Sequence, residues 1–160
     1  MPLPATRIRC GTGWIDQAGA WYSPERAGEG FSLQVLPPGP DQPARALVYW
    51  YTYAPDGSGR QLWLTGLAPI QGISLPDFGI DLHRTEGGRF AATSNPATVV
   101  TRPWGRLELF FDRCDRAQVR FQSSDPAYGS GGFTIHRLGP PTEGLAWFCA
   151  GDPFGNTPTP

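Results

Sequence analysis

The sequence has almost no net charge and no long apolar run, and each of these two absences argues against a class of function. All 13 basic residues are arginine, against 14 acidic residues, and the formal net charge is −1. A chain with this balance has no strongly basic surface for a phosphate backbone or an anionic membrane, so we expect no nucleic-acid partner. No apolar stretch approaches the roughly 18 residues of a membrane-spanning helix, so no membrane span is expected.

Cysteine is also scarce, and its three positions, Cys10, Cys114 and Cys149, lie far apart. No CxxC pattern accompanies them, so we expect neither a metal site nor a cofactor. They fit one long-range disulfide with one free thiol, or three reduced buried thiols in a cytosolic protein. The N-terminal segment MPLPATRIRC lacks the apolar region of a signal peptide. We expect a secreted, periplasmic or cell-surface protein whose signal peptide has been removed, with a cytosolic protein as the alternative.

Sustained helical periodicity is missing as well, while 21 glycines and 18 prolines punctuate short alternating stretches. This pattern predicts β-strands joined by turns. The predicted strands are FSLQVL (31–36), RALVYWYTY (45–53), RQLWLTG (60–66), GIDLHR (79–84), RFAAT (89–93), RLELFF (106–111), AQVRFQ (117–122) and GFTIHRL (132–138). About eight short strands predict an all-β domain, either an antiparallel up-and-down barrel of the calycin type or a sandwich derived from one. Residues 1–18 are predicted to be an N-terminal extension, 19–150 the single domain and 151–160 a Pro/Gly-rich tail or linker.

The loop APDGSG predicts a tight hairpin between two of these strands, because Asp56-Gly57 is a turn dipeptide. If Ala54 lies opposite Arg60, one face of the hairpin pairs Trp50 with Leu64 and Thr52 with Leu62. The other face then carries an aromatic strip made of Tyr49, Tyr51, Tyr53 and Trp63. Since the first strand of this hairpin, residues 45–53, is apolar or aromatic on both faces, we expect it to be a central strand with both faces covered. The strip is then either packed under another sheet or loop, or exposed as a binding surface.

The segment from Tyr22 to Gly30 is the densest cluster of polar and glycine residues. Arg26, with Glu25 and Glu29, can form a charged rim beside Trp21 and Tyr22 that recognises a ligand. Alternatively, an Arg–Glu pair fixes the loop between two strands. A glycosidase pair of Glu25 and Glu29 would need two carboxylates facing each other across a sugar, which one loop does not establish.

The segments GAWYSPERAGEGFSLQVL and VYWYTYAPDGSGRQLWLTG, with RPWGRLELFFDRCD, GSGGFTIHRL and GLAWFC, resemble a module of secreted and cell-surface proteins of gammaproteobacteria. The resemblance covers roughly residues 19–149 and carries the motifs WYxPxRxGxGF and WYTYxxxGxxxxxWLTG. It implies an extracellular domain with a disulfide between Cys114 and Cys149, and it implies no catalytic residue. Gly19-Ala20-Trp21 is also similar to the GxW start of lipocalins and avidins, whose barrels hold a small ligand.

These observations predict a non-catalytic extracellular or cell-surface module that binds a glycan or a protein. The predicted ligand-binding residues are Trp21, Tyr22, Arg26, Glu29, Tyr49, Tyr51, Tyr53 and Trp63. The alternatives are a calycin-like carrier of a small apolar ligand and, third, a small secreted hydrolase. A structural subunit that assembles with copies of itself through the aromatic strip is also consistent with the pattern.

Overall fold

The chain forms a closed barrel of eight antiparallel strands in which each strand pairs with the next and the last pairs with the first. A computed structural model describes residues 18–70, 77–90, 98–113 and 115–138. The strands are β1 Gly19–Tyr22, β2 Gly30–Leu36, β3 Arg45–Tyr53, β4 Gln61–Pro69, β5 Asp77–Glu86, β6 Val100–Arg113, β7 Arg116–Ser123 and β8 Ser130–Arg137. The predicted all-β fold is confirmed, and of the two predicted architectures the chain adopts the up-and-down barrel.

Alternation along the strands turns one face of each inward and fills the barrel. Leu33, Val48, Leu64, Ile80, Leu107 and Val119 are at most 2% exposed and form the centre of the core. Toward the end that carries the β1–β2, β3–β4, β5–β6 and β7–β8 loops, called here the upper end, the core is aromatic. Phe31 and Trp50 stack there with ring centroids 5.2 Å apart, and Trp104 packs edge-on against Trp50 at 5.5 Å.

A β-bulge places Trp104 in this upper core. The register between β5 and β6 shifts where Leu82 pairs with Gly105 and His83 pairs with Pro103, which leaves Trp104 as the extra residue. An extra residue bends the strand and redirects a side chain. Trp104 is accordingly 3% exposed although its two sequence neighbours are not buried.

Two details of the predicted strands were wrong. The segment around Phe90 is not a strand where the structure describes it, since β5 ends at Glu86, residues 87–90 belong to no strand and Phe90 is fully exposed. Residues 91–93 of that prediction lie outside the described residues. β3 is also not covered on both faces, because the outer face of a barrel strand meets solvent, and Tyr51 there is 48% exposed.

Several other predictions fall outside the described residues. Cys10, Cys114 and Cys149 are among them, so the predicted disulfide stays a prediction. The same holds for the predicted tail at 151–160 and for most of the predicted N-terminal extension at 1–18.

Candidate functional site

The β3–β4 hairpin carries a row of aromatic side chains on the outer face of the barrel. The register pairs Tyr51 with Trp63, Tyr49 with Thr65 and Tyr53 with Gln61, as the sequence predicted. The alternate pair, Trp50 with Leu64, points inward and is buried. Trp63 is 49% exposed, and Tyr49 and Tyr53 are partly buried. We call Tyr49, Tyr51 and Trp63 the outer aromatic surface.

The three rings of the outer aromatic surface have similar orientations. The planes of Tyr49 and Tyr51 differ by 13° with centroids 6.5 Å apart, and those of Tyr49 and Trp63 differ by 25° at 5.9 Å. A groove of about 600 Å³ adjoins these rings, and its other lining residues are Gly28, Thr52, Gln61 and Leu62. None of the lining residues carries a charge, so the groove combines ring faces with amide and hydroxyl groups.

Gly28 brings the β1–β2 loop down onto the upper edge of this groove. Its φ of +81° is a left-handed conformation that favours glycine. A Cβ atom at this position would overlap the Tyr53 hydroxyl. Tyr53 is therefore partly covered by the loop, and the residues that line the groove do not include it.

Two charged residues of the same loop, Arg26 and Glu29, turn inward over the upper end of the barrel. The Glu29 carboxylate accepts hydrogen bonds from Thr52 Oγ1 at 2.9 Å and from Trp50 Nε1 at 3.3 Å. Arg26 lies 3.4 Å from the same carboxylate, and its guanidinium sits 4.3 Å above the ring of Phe133. Because Glu29 binds Trp50 and Thr52 of β3 as well as Arg26 of its own loop, the geometry fits the structural interpretation of the Arg–Glu pair, in which the pair fixes the loop.

The remaining predicted ligand residues of β1 separate to opposite faces. Trp21 is 2% exposed and packs in the core against Phe111. Tyr22 is 38% exposed on the outer face, with its ring 6.4 Å from that of His136. A single cross-strand row joins Tyr22, Gly30, Tyr51 and Trp63. Since Gly30 has no side chain, bare backbone separates Tyr22 from the outer aromatic surface.

The structure brings together four of the eight predicted residues, Tyr49, Tyr51, Tyr53 and Trp63, with Tyr22 one strand beyond Gly30. Sequence reasoning missed Gln61 as a lining residue, although its pairing with Tyr53 was predicted and already placed it on the same face. It also missed the contact of Gly28 with Tyr53. That contact joins the β1–β2 loop to the end of β3, which is distant in sequence, and no local pattern signals it.

Within the described residues, the histidines and the carboxylates considered as catalytic or metal-binding groups lie apart from one another. His83 lies on β5 and His136 on β8, three strands apart around the barrel. Among the residues that the structure describes, no group of three or more His, Cys, Asp or Glu side chains is arranged to hold a metal ion. Glu25, the other half of the considered carboxylate pair, is exposed to solvent, whereas Glu29 is hydrogen-bonded inward.

Comparisons with known proteins identify no relative, so the function has to be inferred from the fold and from the geometry of this site. No family model matches the chain, and neither the curated proteins nor the solved structures include a significant match. Within the described residues, no helix has the length and apolar character needed to cross a membrane.

Proposed function

We propose that this protein is a non-catalytic extracellular module that binds a neutral glycan on the outer aromatic surface. The observation that carries the proposal is the pair of half-exposed rings, Tyr51 at 48% and Trp63 at 49%, beside an uncharged groove. Exposed large aromatic side chains in a contiguous patch mark interaction sites. A groove of about 600 Å³ is within the size range of small-ligand sites.

The composition of the groove favours a sugar over other ligands. A pyranose ring presents C–H groups on its faces and hydroxyl groups around its rim. The faces match the rings of Tyr51 and Trp63, while the rim matches the side-chain amide of Gln61 and the hydroxyls of the two groove tyrosines. The lining residues carry no charge, which supports a neutral ligand.

The packing of the interior also favours the outer face over the barrel lumen. Trp50 contacts Phe31, Trp104, Phe121 and Phe133, with ring centroids between 5.2 and 6.1 Å apart. These side chains occupy the upper half of the barrel, and Arg26 and Glu29 lie over them. A calycin-like carrier would need this volume for its ligand, so we propose the outer groove as the binding site.

The test is binding to soluble oligosaccharides and insoluble polysaccharides built from neutral sugars. Calorimetry and tryptophan fluorescence measure the affinity for the soluble oligosaccharides. Trp63→Ala and Tyr51→Ala should each weaken binding by about tenfold, which corresponds to roughly 1.4 kcal/mol. Leu67→Ala is the matched control, because Leu67 is 48% exposed on the same face of β4 but does not line the groove. Its affinity should match that of the unmodified protein.

Two results would contradict the proposal. Equal losses in Trp63→Ala and Leu67→Ala would show that the groove is not the site. Absence of binding to every neutral glycan at millimolar concentration would remove the glycan as the ligand class.

A further inference from the structure

At the edge of β8 the barrel is closed over only part of its height. β1 has four residues, and its register with β8 consists of Trp21 with Arg137 and Tyr22 with His136. β8 begins at Ser130, so its first six residues, 130–135, extend beyond the end of β1. Both segments lie within the described residues, and no registered partner is present on that side of residues 130–135.

The hydrogen-bond register shows which backbone groups face this gap. Arg137 N donates to Asp115 O, and Ser123 N donates to Gly129 O, both at 2.9 Å. Odd-numbered residues of β8 therefore bond to β7, since hydrogen-bonded pairs alternate along an antiparallel ladder. Leu138 N donates to Ala20 O at 2.8 Å, so even-numbered residues face β1. The N–H and C=O groups of Ser130, Gly132 and Thr134 consequently point into the gap.

Pro24 explains why β1 does not continue along this edge. Extending the register by two residues places Pro24 opposite Thr134. Proline has no N–H to donate to the ladder, and it is found at the ends of paired strands. The chain turns immediately afterwards, with Arg26 N donating to Ser23 O at 3.1 Å. The loop then crosses the upper end of the barrel, and Ser130 and Gly132 are exposed.

One basic side chain, Arg120, lies beside the gap. Arg120 lies opposite Gly132 on the outer face. Across the described part of the chain, no carboxylate lies within 4.0 Å of the Arg120 guanidinium, and Glu108, which pairs with it in register, is nearest to Arg106 instead. The guanidinium rests 5.0 Å from the Phe110 ring. A groove of about 480 Å³ lies over β6, β7 and the start of β8, and its lining includes Glu108, Arg120 and Gly132.

We propose that this edge binds an extended, acidic segment of a partner protein by strand addition. The segment lies in line with β1 and antiparallel to β8, and its backbone bonds to Ser130, Gly132 and Thr134. A glutamate or aspartate opposite Gly132 then reaches over the bare glycine to pair with Arg120. Unpaired strand edges are the usual templates for such addition, in which backbone bonds give affinity and side chains give specificity. The site is independent of the proposed glycan site.

Amide exchange measured by nuclear magnetic resonance tests the edge first. In the free protein, the Gly132 and Thr134 amides should exchange much faster than the Gly131 and Phe133 amides, which bond to β7. The probe is a capped five-residue peptide that alternates threonine and valine around a central glutamate. Its addition should shift the resonances of Gly132 and Thr134 and slow their exchange.

Charge reversal tests the partner chemistry. Arg120→Glu should weaken binding of the glutamate peptide by at least about tenfold, and it should create binding of the same peptide with a central lysine. Arg102→Glu is the control, because Arg102 is exposed at the upper end of β6, away from the gap. It should leave the affinity for both peptides unchanged.

Three outcomes would overturn the proposal. Slow exchange at Gly132 and Thr134 in the free monomer would show that the edge is already paired within the chain. If exchange at these two amides is slow in concentrated solution and becomes fast on dilution, the edge pairs with a second copy of the chain. No peptide-induced change at Gly132 or Thr134 at millimolar concentration would exclude strand addition by an acidic segment.

Discussion

Gly28 is the residue that most directly links the loop conformation to the proposed glycan site. We expect Gly28→Ala to destabilise the protein by about 1–3 kcal/mol, because a non-glycine residue in the left-handed region is strained and its Cβ also displaces the Tyr53 hydroxyl. Gly57→Ala is the matched control, since Gly57 has a similar φ of +73° and a Cβ there meets nothing within 4 Å. Urea unfolding should show a larger loss for Gly28→Ala. Equal losses would mean that the loop does not rest on Tyr53.

At the same scale, the sequence alone does not distinguish charged residues that bind a ligand from charged residues that make contacts within the fold. Arg26 and Glu29 were predicted to contribute to a ligand site, yet Glu29 accepts hydrogen bonds from Trp50 and Thr52. Those partners lie more than 20 positions away in the chain. Local patterns contain no information on such pairs, so composition and spacing could not decide between the two readings.

At the scale of elements, the β3–β4 hairpin was predictable in full because its information is local. The turn dipeptide Asp56-Gly57 fixes the register, and a fixed register assigns every side chain to a face. The segment around Phe90 failed for the opposite reason, since its short alternation has no turn-defined partner. β1 did not stand out by alternation because it has only four residues.

The β6–β7 hairpin carries an ion pair that predicts a pH dependence of stability. The hydrogen bond and charge of Arg116 hold the pKa of Asp112 below its ordinary value of 3.8. A carboxylate whose pKa is lowered by folding stabilises the protein above its unfolded pKa, and this contribution is lost as the pH falls through the folded value. Both side chains are about 40% exposed, so the contribution is about 0.2–1 kcal/mol.

Asp112→Asn should therefore lower the free energy of unfolding at pH 7, and its difference from the unmodified protein should shrink below pH 3.8. Chemical unfolding at several pH values measures this difference. Glu25→Gln, at an exposed position of the β1–β2 loop, should not lower the stability at pH 7. A difference for Asp112→Asn that stays constant or grows in acid would contradict the assignment.

At the scale of the whole molecule, the antiparallel order of successive strands followed from the sequence, but closure did not. The predicted count of about eight agrees with the structure only because the wrong strand around Phe90 offsets the missed β1. Each strand pairs with its sequence neighbour, which short loops favour. Whether β8 returns to β1 depends on a contact between residues more than 100 positions apart, Tyr22 with His136. Closure also decides which face is the interior, and therefore why Trp21 is in the core while Tyr22 is outside.

The inside–outside assignment of the whole barrel makes a final prediction on two tryptophans of one hairpin. Trp50 is 3% exposed and Trp63 is 49% exposed. Trp50→Ala should cost about 3–5 kcal/mol by leaving a core cavity, whereas Trp63→Ala should cost about 1 kcal/mol or less. If Trp50→Ala does not fold, Trp50→Phe keeps a ring in place and should still lose more stability than Trp63→Phe. A shift of one residue in register exchanges the two faces. A larger loss of stability for the Trp63 variant would therefore place the outer aromatic surface inside the barrel. The proposed glycan site on the outer face would then be wrong.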